Sequence, residues 1–289
     1  MIDRIDAVMP ESGSEVSLAD RPVAYAVISE LLRLQEGVAP RSAIGRVFGA
    51  RPVHADVQPW FSGAHGELKV GALLARLGPE WLVLHAVPVG TRGSDIDHVL
   101  VGPAGVYTIN TKHHPSKKIW VGEHMLKVSG QKTDHLRNSR HEAKRAAKFL
   151  SAASGLVVEV HPVLAIVDAG PFTFKQRPSD VSIMDARALS RWLNHRTRAL
   201  SPEAVQRIAA AAVNSRTWHP SADLSIDPTY LARFRALEKQ DVQARWRRLL
   251  WGAAFAIVIV VVAVASVGPA MTVVFPAIWS TLLNAVIPN

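Results

Sequence analysis

Residues 93–115 read GSDIDHVLVGPAGVYTINTKHHP, two short apolar runs separated by the turn-like GPAG. Both runs are rich in β-branched residues and are bounded by glycine and proline, so the stretch predicts two strands joined as an antiparallel hairpin. If GPAG (residues 102–105) is a four-residue loop, Val101 pairs with Val106. This register fixes the positions of all the other residues along the two strands.

The polar residues of the hairpin fall on one face in this register. Asp97 lies opposite Asn110, and Asp95 lies opposite Lys112. Directly opposed Cβ atoms are about 4.5–5.5 Å apart, and strand side chains alternate between faces. The four side chains therefore form either a catalytic cluster or a solvated face with an Asp95–Lys112 ion pair, which would contribute little stability.

The surrounding pattern predicts an α/β domain. Glu67–Leu77 has apolar residues at positions 70, 73, 74 and 77, a helical stripe that ends at Gly78-Pro79. We predict a strand at 81–87, a small hairpin at 119–121 and 126–128, a helix at 133–153, a buried strand at 157–167, and helices at 185–195 and 201–214. The N-terminal part contains a predicted helix at 24–34, and residues 36–54 read as a loop.

Composition limits the chemistry that the chain can use. Its 289 residues include no cysteine, which excludes disulfides, cysteine-ligated zinc and thiol catalysis. Histidines are frequent between residues 85 and 141, but without HExxH or a comparable ligand spacing. The net charge of +9 lies entirely before residue 249, which indicates either a polyanionic partner or simply a basic protein.

The C-terminal sequence is typical of a membrane helix. Residues 249–268 read LLWGAAFAIVIVVVAVASVG, about the 20 apolar residues that span a bilayer. Arg245, Arg247 and Arg248 precede this run and no cation follows it. The positive-inside tendency then places the N-terminal part in the cytoplasm of a single-pass protein in the cell membrane. A second apolar run, 270–287, contains Pro276 and is either a second span or a tail.

Three pieces of sequence together resemble the nuclease-related domain (NERD) family: Gly66-Glu67 on a helix, DIDHVLVGPAGVY around Asp97, and Asn110-Thr111-Lys112 at a strand end. The resemblance implies the PD-(D/E)xK group, with a restriction-endonuclease-like mixed central sheet flanked by helices and followed here by the transmembrane helix. The expected divisions are an N-terminal helical or irregular region (1–59), the nuclease-like domain (60–220), a basic juxtamembrane linker (221–248) and the span (249–268).

The resemblance also implies the site residues. Asp97 corresponds to the metal-binding aspartate, Lys112 to the lysine of the (D/E)xK element, and Glu67 to a second metal or water ligand on the first helix. Asn110 stands where that element carries a carboxylate, and its amide offers an oxygen without a charge. The cofactor implied is Mg²⁺ or Mn²⁺, because a hard cation with carboxylate ligands polarises a phosphate and activates water.

A basic helix is the expected nucleic-acid contact. Arg137, Arg140, Lys144 and Lys148 recur at spacings of three and four, and Lys132 lies just upstream. Such a stripe can follow a phosphate backbone without reading sequence, although an ordinary solvated helix face has the same pattern.

Three functions are compatible with the sequence. The first is a membrane-anchored, metal-dependent nuclease that acts on nucleic acid, expected to be DNA, at the cytoplasmic face. The second is a non-catalytic nucleic-acid-binding or scaffolding module that retains the nuclease fold, which Asn110 favours. The third is a membrane-surface protein whose basic patches bind anionic lipid.

Overall fold

A computed structural model describes residues 17–90, 95–219 and 225–286, without the side chains of residues 266–275 and 281–286. The helices are α1 (Tyr25–Glu36), α2 (Ala43–Val47), α3 (Gln58–Leu74), α4 (His135–Ser154), α5 (Leu189–Asn194), α6 (Pro202–Val213), α7 (Ser215–Trp218) and α8 (Tyr230–Val286). The described chain forms two compact units. The first contains the residues up to 35 together with 55–231, and the second contains 36–54 together with the residues from 232 onward.

The first unit contains a five-stranded and a four-stranded sheet. The strands are β1 (Leu82–Pro88), β2 (Asp95–Gly102), β3 (Gly105–His113), β4 (Ile119–Val121), β5 (Leu126–Val128), β6 (Gln131–Thr133), β7 (Val160–Val167), β8 (Phe172–Phe174) and β9 (Ser182–Asp185). The main sheet has the order β1-β2-β3-β7-β9, antiparallel from β1 to β3 and parallel from β3 to β9. It is a mixed sheet flanked by helices, as predicted.

The hairpin of β2 and β3 has the predicted register. Val101 pairs with Val106, and the ladder runs from Gly102 and Gly105 to His98 and Ile109. Gly105 has a φ of +127°, a conformation that side chains rarely adopt, so glycine suits the turn. Beyond His98 the pairing with β3 ends, while β2 continues to pair with β1 as far as Asp95, which lies opposite Pro88. The two strands therefore separate where the polar residues lie.

The main sheet is buried on both faces. Val99, Val101 and Val106 contribute to the core cluster that includes Ala143, Ala146 and Leu150 of α4. Leu100, Tyr107 and Ile109 contribute to the cluster that includes Val70 and Leu74 of α3. Alternate residues of β3 thus face different helices, and this alternation determines which helix meets each polar side chain.

The small sheet has the order β6-β5-β4-β8 and two contrasting faces. Ile119, Val121 and Leu126 are buried in a core cluster on one side. The opposite side carries a row of directly paired residues, one from each strand: Thr173, Trp120, Lys127 and Lys132. The outer face of this sheet is therefore basic and aromatic.

The second unit consists of α2 and almost all of α8. The prediction of a loop over 36–54 was incomplete, because Ser42 caps Ala43–Val47 as a short helix by accepting from the backbone N–H of Gly45. Within the described residues one helical segment, Tyr230–Ala265, is long and apolar enough to cross a membrane; its most apolar window has a mean hydropathy of 2.4 and is 0% buried. The helix continues to Val286, through most of the second apolar run.

Candidate active site

Asp97 lies where β2 and β3 diverge. Its Oδ2 accepts a hydrogen bond from the backbone N–H of Thr111 at 2.6 Å, which replaces the ladder bond that the diverging strands lose. Burial raises the pKa of the Asp97 carboxyl, while the charge of Lys112 and the Thr111 hydrogen bond oppose that rise. A partly buried carboxylate is thereby held at the strand end.

Asn110 contacts a residue that the sequence analysis missed. Its Nδ2 donates to Oε1 of Glu142 on α4 at 2.5 Å, and Asn110 is only 3% exposed. Asn110 Oδ1 and Glu142 Oε2 are both buried and have no hydrogen-bond partner within the described residues. Buried polar atoms normally have partners, so these two oxygens retain acceptor capacity that a ligand could use.

The pKa of the Glu142 carboxyl is raised far above that of an ordinary glutamate. Burial raises its pKa to about 7, the negative charge of Asp97 adds to the rise, and the Asn110 hydrogen bond and Lys112 oppose it. A signal for Glu142 did exist in the sequence. Leu136, Ala143, Ala146 and Leu150 recur at helical spacing and mark the apolar side of the helix, and Glu142 lies at the edge of that side.

Glu67 brings a further carboxylate from α3. It is 9% exposed, and burial followed by the charges of Asp97 and Asp95 raises its pKa, whereas Lys112 lowers it. Gly66 lets the helix approach this strand end, because a Cβ there would lie 3.1 Å from Cβ of His113. The structure thus brings Glu67, Asp97 and Lys112 close enough for their charges to interact.

Asp95 has a different partner from the one that the hairpin register suggested. The Asp95–Lys112 ion pair, one of the two alternatives for this face, is not among the ion pairs of the described residues; Asp95 Oδ2 lies 3.2 Å from Nη2 of Arg21, with both side chains largely buried. Burial raises the pKa of Asp95 and the charge of Arg21 opposes the rise. Arg21 belongs to the N-terminal region, so that region helps to build the site.

A cavity of about 1050 Å³ opens over these residues. Glu67, Asp95, Asp97 and Lys112 form its polar wall. The remaining wall comes from α1, including Glu30 and Arg33, and from the first turns of α3, including Trp60. The carboxylates of Glu67, Asp95 and Asp97 can therefore be reached by a ligand.

The model of the nuclease-related domain family (NERD) matches residues 62–167. These residues are a nuclease-related domain. The match includes Glu67, both hairpin strands and α4 with Glu142. No curated protein and no solved structure matches the chain significantly.

The donor set of the NERD domain fits a hard divalent cation. The described residues contain no group of three or more histidine, aspartate and glutamate side chains arranged as a metal site. Mg²⁺, however, is commonly held by one or two carboxylates and completes its shell with water. Asp97, Glu142 and the orphaned Asn110 Oδ1 supply such oxygens, and a cation would offset the repulsion that raises the pKa of Glu142.

Two histidine contacts border the NERD site. His113 Nδ1 contacts Ser62 at 3.0 Å and its Nε2 lies 2.9 Å from Oδ2 of Asp168, which ties α3 to the end of the sheet. His114 and His135 stack with their Nε2 atoms 3.0 Å apart. Burial and then the charge of Lys112 lower the pKa of both, for His135 to about 4. The environment of His114 and His135 therefore favours the neutral form of both imidazoles.

The basic residues are divided between two surfaces. On α4, Arg140 bonds Asp180 at 2.6 and 2.9 Å and Arg137 lies 3.1 Å from Asp134, so their charges are partly neutralised. Lys144 and Lys148 are exposed on the same helix. Lys132 is instead on the outer face of the small sheet, directly opposite Lys127. All four residues of the predicted stripe thus lie on α4, and the upstream Lys132 belongs to a separate basic surface on the small sheet.

Proposed function

We propose that the NERD domain is a metal-dependent nuclease that hydrolyses phosphodiester bonds of nucleic acid, with DNA as the expected substrate. The observation that carries the proposal is the hydrogen bond between Asn110 and Glu142. It brings a partly buried carboxylate from α4 to the strand position where Asn110 itself has no charge.

Asp97 and Glu142 would hold Mg²⁺ or Mn²⁺, together with the amide oxygen of Asn110. When bound, such an ion supplies Lewis acidity toward the phosphate and lowers the pKa of a bound water. Asn110 keeps Glu142 in place by donating from Nδ2, which leaves Oδ1 and the second carboxylate oxygen for the ligand.

Lys112 and Glu67 would complete the chemistry. The ammonium of Lys112 offsets negative charge that develops on the phosphate oxygens, an effect that is strong in a buried site. Glu67 has a raised pKa and lines the same cavity, so it is suited to take a proton from the attacking water.

The outer face of the small sheet is proposed to hold the polynucleotide. Lys127 and Lys132 are directly opposed across β5 and β6, an arrangement that repels when no anion is present. Within the described ranges neither lysine forms an ion pair with a carboxylate. Lys127 Nζ lies 5.4 Å from the ring centroid of Trp120, whose partly exposed indole can stack on a base. The exposed Lys144 and Lys148 add a second phosphate-binding surface.

The apolar part of α8 is proposed to anchor the protein in the cell membrane by a single pass. Arg245, Arg247 and Arg248 precede it, so the nuclease domain would face the cytoplasm.

The proposal is tested with the full chain purified in detergent. Plasmid and linear DNA are incubated with Mg²⁺ or Mn²⁺, beside Asp97→Ala and Lys112→Ala and the exposed control Arg76→Gln. We expect cleavage by the unmodified protein and the control and its loss in both site variants. Equal cleavage by all four proteins would refute an assignment of the activity to this site.

A non-catalytic nucleic-acid-binding module is the second candidate, because Asn110 replaces a carboxylate of the (D/E)xK element. It predicts DNA binding that falls with rising salt, without cleavage in any metal and without a change on Asp97→Ala.

A further inference from the structure

The short helix α2 exposes apolar side chains. Ile44 is 72% exposed, and Val47 and Phe48 are each 53% exposed. Val47 and Phe48 follow Ile44 by three and four positions, so the three side chains lie on the same side of a single helical turn and its C-cap and form one apolar surface. Such a surface on a short helix indicates a binding partner.

The α2 segment is attached to the start of the apolar part of α8. Trp251 donates from Nε1 to the carbonyl of Val47 at 3.1 Å, and its ring lies 4.7 Å from that of Phe48. The carbonyl oxygens of Arg46 and Gly49 accept from Arg247 and Arg248. A segment about 200 residues away in sequence is thereby fixed beside the first turn of the apolar run.

Glycine is required for this attachment. Gly49 has a φ of +79°, and a Cβ there would clash with the carbonyl of Ala244. The close approach of the two backbones therefore depends on a residue without a side chain.

The position along α8 at which α2 is attached indicates what the apolar surface of α2 binds. Trp251 is the third residue of the apolar run that begins at Leu249, so its contact with Phe48 places α2 at the level where a spanning helix would leave the headgroups. Trp246 is 63% exposed and Trp251 is 45% exposed. Tryptophan and arginine at the end of an apolar helix are typical of the membrane–water interface.

We infer that α2 is an interfacial membrane segment that inserts Ile44, Val47 and Phe48 into the headgroup–acyl boundary of the bilayer that α8 spans. The inference rests on the proposed membrane anchoring by α8. It adds a second contact that would fix the rotation and depth of the helix at the surface.

The charges around α2 favour binding to anionic lipid. Arg247 donates to the backbone carbonyl of Arg46, and burial followed by the charges of these two residues lowers the pKa of the nearby Arg41, with Asp241 opposing the shift. The exposed Arg46 is on the same short helix as the apolar surface. Clustered cations beside an inserted apolar face favour anionic headgroups.

The absence of cysteine from the sequence allows a direct test by single-cysteine labelling. Ile44→Cys and Phe48→Cys are labelled with the polarity-sensitive fluorophore NBD in the full chain. The proteins are reconstituted into phosphatidylcholine–phosphatidylglycerol vesicles with and without doxyl-labelled lipid. Two positions are used because Phe48 also packs on Trp251, whereas Ile44 does not share that ring contact.

Two control positions give the NBD emission expected inside and outside the bilayer. Ile257→Cys lies in the middle of the apolar run. Lys239→Cys is ten residues before Leu249, about 15 Å along a helix and hence beyond the headgroups. We expect blue-shifted, lipid-quenched NBD at 44, 48 and 257 and unquenched NBD at 239.

The two proposals fail in different ways in this experiment. Quenching at 257 with emission at 44 and 48 equal to that at 239 would overturn the interfacial role of α2 while the span remains. Absence of quenching at 257 would overturn the membrane anchoring and the α2 inference with it. Equal quenching in vesicles of phosphatidylcholine alone would overturn the preference for anionic lipid.

Discussion

Nδ2 of Asn110 donates to Oε1 of Glu142 at 2.5 Å and joins the end of a central strand to the helix that covers it. An amide thus occupies the strand position and an acid comes from another element. A site with a carboxylate on the strand also carries this negative charge, but here the charge comes from Glu142 on α4.

Removal of the Glu142 charge is expected to weaken metal use. For Glu142→Gln we predict that the Mg²⁺ concentration for half-maximal DNA cleavage rises about 10–100-fold, because the site loses one of its charged oxygens. A magnesium titration of plasmid nicking measures this shift. The exposed Glu159→Gln is the matched control and should leave the magnesium titration unchanged. An unchanged titration for Glu142→Gln as well would show that this acid has only a structural role.

Asn110→Asp should not improve the site. The aspartate loses the N–H donor to Glu142 and places a second buried carboxylate beside it, at a cost of about 1–3 kcal/mol. Thermal unfolding in EDTA should therefore show a lowered Tm, which Mg²⁺ restores more strongly than in the unmodified protein. A variant that is equally stable in EDTA and cleaves faster would contradict a working role for Asn110.

Stability without metal should depend on the ionisation of Glu142. Its pKa is raised from 4.5 to about 7 in the folded protein, so the folded state binds this proton more tightly than the unfolded state. Stability from this group is present below pH 4.5 and is lost as the pH rises to about 7, by about 3 kcal/mol at most.

Denaturation in EDTA at pH 5 and pH 8 measures this effect as a difference between the unmodified protein and Glu142→Gln. The comparison is necessary because the buried histidines have lowered pKa values and change stability in the opposite direction between about pH 4 and 6.5. Parallel pH profiles for the two proteins would show that Glu142 is not buried as described.

The paired lysines of the small sheet should contribute to the salt dependence of binding. Lys127→Gln and Lys132→Gln are each expected to reduce the slope of log Kd against log salt by about 1, since each removes one phosphate contact. Fluorescence anisotropy with a single-stranded oligonucleotide in EDTA separates binding from cleavage. Arg76→Gln is the charge-matched control, and an equal slope for all four proteins would exclude this surface.

The sequence alone determined the elements and the register of the site hairpin. Alternating apolar residues and the glycines of GPAG are local signals, and the Val101–Val106 pairing followed from the loop length. The apolar run after Arg248 was equally clear, because its length and composition do not depend on neighbours. The 36–54 segment was missed as a helix because only five residues are helical there.

Which charged groups meet depends on the packing of elements that are distant in sequence. Asp95 pairs with Arg21, 74 residues away, and Asn110 meets Glu142 from the helix across the sheet. Strand alternation shows which residues share a face but not which helix packs there or at what height. Packing of α4 on β3 sets that height, and with it the position of the carboxylate that the strand sequence lacks.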